Sequence, residues 1–247
     1  MKAMVLAAGL GTRLRPFTDD RPKALVEVSG RTMLEITLAR LRDFGIHDVI
    51  INLHHFADKV EDYLKSANNF GMHIEFSREE ILLDTGGGLK QAAWFLSDND
   101  RSDEPFILHN VDIISTIDLR QMIESHRASK ALATLAVQKR TTSRYLLFDE
   151  QNQLCGRRTV SQQKTEMVRT AQQTIEVAFT GIHIISPKIF PLLTEEGVFS
   201  IIPAYLRLAG QDEKIMAFNA DQYYWRDLGK PENIKQAEND IQEKLLT

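Results

Sequence analysis

Only one cysteine, Cys155, occurs in the 247 residues. That excludes an internal disulfide and a cysteine-built zinc cluster, and Cys155 reads as an ordinary thiol. An excess of positive charge is missing too. The 30 Lys and Arg are outnumbered by 34 Asp and Glu, for a net charge of −4. A general nucleic-acid binder would normally be basic, so no nucleic-acid partner is expected. No apolar run approaches the roughly 20 residues that cross a bilayer. The first apolar run is short and ends in Gly-Leu-Gly-Thr-Arg, which is not a signal-peptide layout. A cytoplasmic protein without a membrane partner is the expectation.

Two familiar glycine fingerprints are also absent. A dinucleotide-binding loop needs a third glycine where this chain has Leu14, and an acid at the end of the second strand, where it has Asn52. An oxidoreductase reading therefore lacks its site. A Walker A loop needs a terminal Gly-Lys-Ser/Thr, and none follows.

What is there centres on Lys2–Val28. Ala3 to Ala8 has the length and composition of a buried strand. Gly9 and Gly11 then allow a tight turn and close approach of a ligand to the backbone. Successive free N–H groups from Ala8 onward form a concavity for phosphate oxygens. Arg13 adds a planar fork of donors, Lys23 a point charge and Thr12 a hydroxyl. The local positive charge is Arg13, Arg15, Arg21 and Lys23.

With 43% hydrophobic and 26% charged residues, the chain has the balance of a soluble globular protein that buries a substantial core. Helix-spaced Leu34, Leu38 and Leu41 follow the loop and stop at Gly45. A strand over 49–53, a helix through Phe56, Val60, Tyr63 and Leu64, and a strand over 73–76 come next. This alternation predicts an α/β fold with a parallel, doubly wound sheet, and ligands in such sheets bind beyond the carboxyl ends of the strands. His54 and His55 lack a third ligand and, like His47, His73 and His126, read as structural or surface residues. Thr85, Gly86, Gly87 and Gly88 open a helix whose core face is Leu89, Ala92, Ala93 and Leu96. Its free N–H groups could meet a flat base. Ser97 to Glu104 reads as a solvated loop. An apolar strand from Phe106 delivers Asn110 and Asp112 to its carboxyl end. A helix from Asp118 and a strand over 133–137 follow. The pattern then changes to an antiparallel hairpin, 146–149 with 154–157. Residues 158–173 read as an exposed polar loop or flap. A strand over 177–185 is interrupted by Gly181, which suggests close approach of a ligand. A short helix from Pro187, a helix over 199–208 and a strand over 214–218 lead to Trp225-Arg226-Asp227-Leu228-Gly229-Lys230-Pro231, and Pro231 opens a terminal helix.

Four of these stretches, in this order, resemble the signature of the sugar-1-phosphate nucleotidyltransferases: G-x-G-T-R with Pro22-Lys23, T-G-G-G, an acid at a strand end, and W-x-D-x-G-x-P. They span residues 2–231. The resemblance implies a Rossmann-like, mixed and mainly parallel sheet of the nucleotidyltransferase (GT-A-like) type, with a small antiparallel sugar-binding lobe. It implies one domain over 1–247: a mainly nucleotide-binding half at 1–137, a mainly sugar-binding half at 138–230 and a terminal helix at 231–247. It implies transfer from a nucleoside triphosphate to a sugar 1-phosphate with release of pyrophosphate, by a monomer or small homo-oligomer. Ala8, Gly9, Gly11, Thr12, Arg13, Lys23, Thr85, Gly86 and Gly87 would bind nucleotide, and Arg13, Lys23 and Asp112 would act in catalysis. Asn110, Gly156 and Gly181 would lie at the sugar, and Asp112 and Asp227 would hold Mg²⁺. Val111 stands where many members have glycine, and the E-K-P-like motif of better-known members is not found. Compact bacterial enzymes acting on N-acetylmuramate, mannose or heptose 1-phosphate are most similar. Uracil and guanine both remain open as the base, with UTP favoured. Phosphocholine cytidylyltransferases of the same fold and a non-catalytic nucleotide-sugar sensor are the alternatives.

Overall fold

The computed structural model describes residues 1–97 and 103–243. The first half alternates β1 (Lys2–Leu6), a short β2–β3 ladder (Glu27–Val28, Arg31–Thr32), α1 (Met33–Asp43), β4 (Asp48–Leu53), α2 (Ala57–Ser66), β5 (His73–Arg78), α3 (Asp84–Gln91) and α4 (Ala93–Leu96). It continues with β6 (Phe106–Asn110), β7 (Ile113–Ser115), α5 (Leu119–Ser129) and β8 (Ala133–Gln138). The second half holds β9 (Arg144–Phe148), β10 (Leu154–Thr159), β11 (Lys164–Met167), β12 (Ile175–Ile185), α6 (Ile201–Ala209), β13 (Ile215–Asn219), β14 (Trp225–Asp227) and α7 (Pro231–Gln242).

One sheet organises the molecule. Its order is β11-β10-β9-β12-β6-β1-β4-β5, with β8 and β13 branching from β12. β6, β1, β4 and β5 are mutually parallel, as the alternation predicted. β12 enters antiparallel beside β6 and carries the antiparallel β9–β11 on its other end. Alternate residues of β1 feed two cores. Ala3 and Val5 pack toward α1, and Met4 packs toward α3 and α6.

Local chemistry explains the flanking elements. The Thr32 hydroxyl caps α1 by accepting from the Glu35 amide at 3.0 Å. Leu34, Leu38 and Leu41 on that helix are completely buried. At about 2 kcal/mol per leucine against about 1 kcal/mol for a cap, packing rather than capping holds α1 in place. Gly45 leaves the helix at φ 80°. The Asp118 carboxylate caps α5 through the amides of Arg120 and Gln121.

Two expectations need correction. Only part of the polar 158–173 stretch differs from the expected exposed loop: β10 continues to Thr159 and, after a turn over 160–163, returns as β11, with Gly156 opposite Met167, while 168–173 belongs to no strand. These strands are polar on both faces, so no period of two marks them, and an Arg157–Glu166 ion pair at 2.8 Å crosses the ladder. The glycines at 86–88 do not open their helix. They lie within α3, which starts at Asp84 and stops at Ala92 before α4. The loop expected over 97–104 lies largely outside the described residues.

Candidate active site

The glycine loop leaves β1 at the carboxyl edge of the sheet. Gly11 stands at φ 63°, and a side chain there would press on Thr18 at 3.0 Å and Lys23 at 3.1 Å. The Thr18 hydroxyl donates to the Gly11 carbonyl at 2.9 Å. The turn thus closes onto the 18–23 segment and draws Lys23 inward. Leu14 is fully buried, so the position a dinucleotide loop reserves for glycine is a core anchor. The amides of Ala8, Gly9, Leu10 and Gly11 donate to nothing among the described residues. Unpaired amides at successive positions of a turn are groups that could meet an anion.

A cleft of about 380 Å³ opens here, lined by Ala8, Gly9, Lys23, Thr85, Asn110 and Asp112 among others. A larger cavity of about 550 Å³ lies at the opposite ends of the strands, around Met1, Asp48 and His73.

Asp112 follows β6 directly, and its carboxylate is bonded to the Lys23 ammonium. Asp227 ends β14, opposite Ile113 on β7. The Leu228 amide donates to the Asp112 carbonyl at 2.8 Å. Adjacent strands therefore bring together two acids more than a hundred residues apart in sequence. Asp227 Oδ1 accepts from the Gly229 amide at 2.6 Å. A Cβ on Gly229 would lie 2.7 Å from Arg13 Nη2 and 2.8 Å from Asp227 Oδ1. Arg13 and Asp227 both approach this position, so a side chain there would have to displace one of them. Among the described residues no group of three or more His, Cys, Asp and Glu is placed to hold a metal. The donor set is two carboxylates, which suits Mg²⁺ completed by phosphate oxygens and water.

Other expected residues are placed differently. Gly86 and Gly87 do not offer free amides, because both donate to the Phe199 carbonyl, at 2.9 and 3.1 Å. A Cβ on Gly86 would fall 2.3 Å from the Phe199 ring, and one on Gly87 would fall 2.5 Å from the Gly197 carbonyl. These glycines make room for protein. Thr85 lines the cleft, but its hydroxyl accepts from the Ile201 amide at 3.0 Å, at the start of α6. Gly181, at φ 87°, faces the Asn110 amide, which a Cβ would meet at 2.9 Å. Gly156 is not brought to the cleft; a Cβ there would strike the Glu166 carbonyl at 2.3 Å. Thr12 and Arg13 are exposed at the loop rim. Arg15 and Arg21 pair with Asp19 and Asp20, which leaves Arg13 and Lys23 as the loop's cations at the acids.

Sequence reasoning missed a buried strut. The Ala7 amide donates to Asn52 Oδ1 at 2.7 Å, Asn52 Nδ2 donates to Glu79 Oε1 at 2.7 Å, and the Leu83 amide donates to Glu79 Oε2 at 2.9 Å. Gly88 accommodates this pair, since a Cβ would meet Glu79 at 2.7 Å and Asn52 at 2.9 Å. An acid and an amide at the ends of adjacent strands were the available signal. Val198, from the other half of the chain, also reaches the cleft.

The histidines are occupied elsewhere. His109 is fully buried and its Nδ1–H donates to the Asn110 carbonyl at 2.8 Å. Burial pushes its pKa down to about 4. His183 packs at 3.0 Å from the Tyr205 hydroxyl, with burial pushing its pKa down to about 3. His126 meets the Thr134 hydroxyl at 2.9 Å, and burial lowers its pKa to about 4. His54 donates to the Glu79 carbonyl. Burial also raises the Cys155 thiol above its ordinary value.

The nucleotidyl transferase family matches residues 2–244. The chain is 32% identical over 235 residues to N-acetylmuramate alpha-1-phosphate uridylyltransferase of Caulobacter vibrioides, covering 93% of this chain and 92% of that one. It is 30% identical over 246 residues to mannose-1-phosphate guanylyltransferase of Mycobacterium tuberculosis, covering 97% of this chain and 64% of that one. The crystal structure of HddC from Yersinia pseudotuberculosis complexed with GMP-PN superposes with a TM-score of 0.75 at 25% identity, covering 97% of this chain and 99% of that one. A match over nearly the whole length makes the chain a member of the nucleotidyl transferase family.

Proposed function

We propose that the enzyme transfers a uridylyl group from UTP to N-acetylmuramate 1-phosphate. The sugar-phosphate oxygen attacks the α-phosphorus, a new P–O bond forms, and the bond to the β-phosphate breaks to release pyrophosphate. The observation that carries the reaction class is the convergence of Arg13, Asp112 bonded to Lys23, and Asp227 at the mouth of a loop with free amides. The choice of sugar and base rests on the likeness to the uridylyltransferase of Caulobacter vibrioides, 32% identical over 92% of its length.

The attacking phosphate is already anionic near neutral pH, so no activated serine or cysteine is required. The barrier is the approach of one anion to another, and catalysis consists of positioning and charge neutralisation. The amides of Ala8 to Gly11 receive the triphosphate, and Arg13 stabilises the departing pyrophosphate. Lys23 lies on the α-phosphate side once its bond to Asp112 is exchanged. Asp112 and Asp227 would hold Mg²⁺, which supplies charge neutralisation and orientation of phosphate oxygens when bound. Asn110, against Gly181, lines the sugar side.

A second reading, a guanylyltransferase acting on mannose or heptose 1-phosphate, is favoured by the likeness to HddC with its guanine nucleotide analogue. Pyrophosphate release across the four ribonucleoside triphosphates and dTTP, against N-acetylmuramate, mannose, glucose and heptose 1-phosphates, separates the two. UTP with N-acetylmuramate 1-phosphate is expected to give the highest kcat/KM. Preference for GTP with mannose or heptose selects the second reading. Turnover of CTP with phosphocholine alone would overturn both.

A further inference from the structure

Arg140 leaves the sheet just beyond β8. β8 is antiparallel to β12, and β12 is antiparallel to β6, so β8 and β6 point the same way. Arg140 therefore emerges on the edge where Asn110 and Asp112 emerge. Its guanidinium lies over the Trp225 ring, 3.8 Å from the centroid. Trp225 precedes Asp227 by two residues, and its indole N–H is fixed to the Thr180 carbonyl at 2.7 Å. Arg140 Nη2 donates to the Phe179 carbonyl at 2.7 Å. These contacts hold the group in place without neutralising it.

The charge is not otherwise matched. Among the described residues no carboxylate lies within ion-pair distance of Arg140, and its buried Nε has no partner. A guanidinium has five N–H donors, and one bond is made. Burial draws its pKa below the ordinary value, while the field of Asp227 opposes that shift. The glycine loop's Lys23 is already matched by Asp112. A half-buried cation with spare donors on the Asp227 side of the site is arranged for an incoming anion.

We propose that Arg140 binds the phosphate of the sugar 1-phosphate and holds it beside Asp227 for attack. Given transfer to a sugar 1-phosphate, on which this inference rests, the triphosphate takes the loop amides and Arg13. Arg140 serves the second anion and lowers the repulsion between the two.

The test compares wild type with Arg140→Met and Arg140→Lys. Initial rates of pyrophosphate release are taken with the best substrate pair, varying each substrate in turn. Titration calorimetry follows binding of the same sugar 1-phosphate, and thermal unfolding reports on the fold. Loss of a charge-assisted bond predicts a rise of about ten- to a hundredfold in KM for the sugar 1-phosphate with Arg140→Met. KM for the triphosphate should stay within about twofold. Arg140→Lys should recover part of the loss. Unchanged KM values overturn the proposal. So does a parallel rise in both with a lowered unfolding midpoint and no recovery by lysine, which would mark a purely structural clamp. If wild type turns over no pair, the reaction reading falls separately, and calorimetry with inorganic phosphate decides this one. Binding lost in Arg140→Met supports it, and binding absent or equal in both proteins overturns it.

Discussion

Gly9 and Gly11 sit among amides that donate to nothing among the described residues, whereas the amides of Gly86 and Gly87 both end on the Phe199 carbonyl. The first stretch borders a cleft. The second is packed under the 197–199 segment, with the Phe199 ring filling the space above Gly86. Both are glycine-rich, both adjoin the same cleft, and both read alike as ligand-approach sites. A missing side chain leaves space, and only the surrounding fold decides whether ligand or protein fills it. Gly229 shows a third use, since a Cβ there would press on both Arg13 Nη2 and Asp227 Oδ1.

Substitutions break this comparison in graded ways. The largest effect is expected from Asp112→Asn, which removes the charge bonded to Lys23 at the open stretch. kcat should fall about a thousandfold with the unfolding midpoint nearly unchanged, as read by pyrophosphate release and calorimetry; near-normal Mg²⁺-dependent turnover would refute the metal role. Gly86→Ala should act on the fold instead, because its Cβ collides with the Phe199 ring and carbonyl. A loss of about 3 kcal/mol, or roughly 6–12 °C, is expected on thermal unfolding. Gly9→Ala is its counterpart: nothing lies within 4 Å of that Cβ. Stability should stay within about 0.5 kcal/mol while KM for the triphosphate rises about tenfold. Equal midpoint losses in both variants would erase the distinction.

Glu79→Gln sharpens the comparison at the strut that joins the two stretches. One face of the amide must present N–H where Asn52 Nδ2 or the Leu83 amide already donates. A loss of about 1–3 kcal/mol follows, with a weaker hold on the triphosphate, measured by urea unfolding and by KM. The smallest effect, per pH unit, concerns the buried histidines. His109 and His183 are neutral in the fold, with pKa values near 4 and 3. The unfolded chain takes up their protons near pH 6.5, so it binds more protons than the fold below that pH. Their contribution is complete above pH 6.5 and is lost as pH falls toward 4, by at most about 1.4 kcal/mol per pH unit for each histidine. His183→Phe should flatten the urea-unfolding slope by one proton; an unchanged slope would show that His183 is protonated in the fold.

The short-range parts of the site were legible. Gly11 needs a left-handed turn, Lys23 follows at a fixed spacing, Asp112 ends an apolar run, and Asp227 precedes Gly229. Each depends on a few neighbouring residues, and so does the parallel alternation that places them on one edge. What failed depended on distant partners. Residues 158–159 and 164–167 pair as strands although polar on both faces, because the partner strand supplies the order. Gly156 is glycine for the Glu166 carbonyl, which pairing alone brings near it. The Asn52–Glu79 strut joins the ends of β4 and β5, and Arg140 is defined by Trp225, far along the chain.

By itself the amino-acid order determined the alternation of strand and helix, the glycine turn after β1 and the two acids at strand ends. These follow from periodicity, turn chemistry and side-chain charge, all local properties. Tertiary structure alone decided which glycines face a cleft and which face protein. It also decided which cations stay unpaired, because both depend on where distant backbone carbonyls and carboxylates come to rest when the sheet closes.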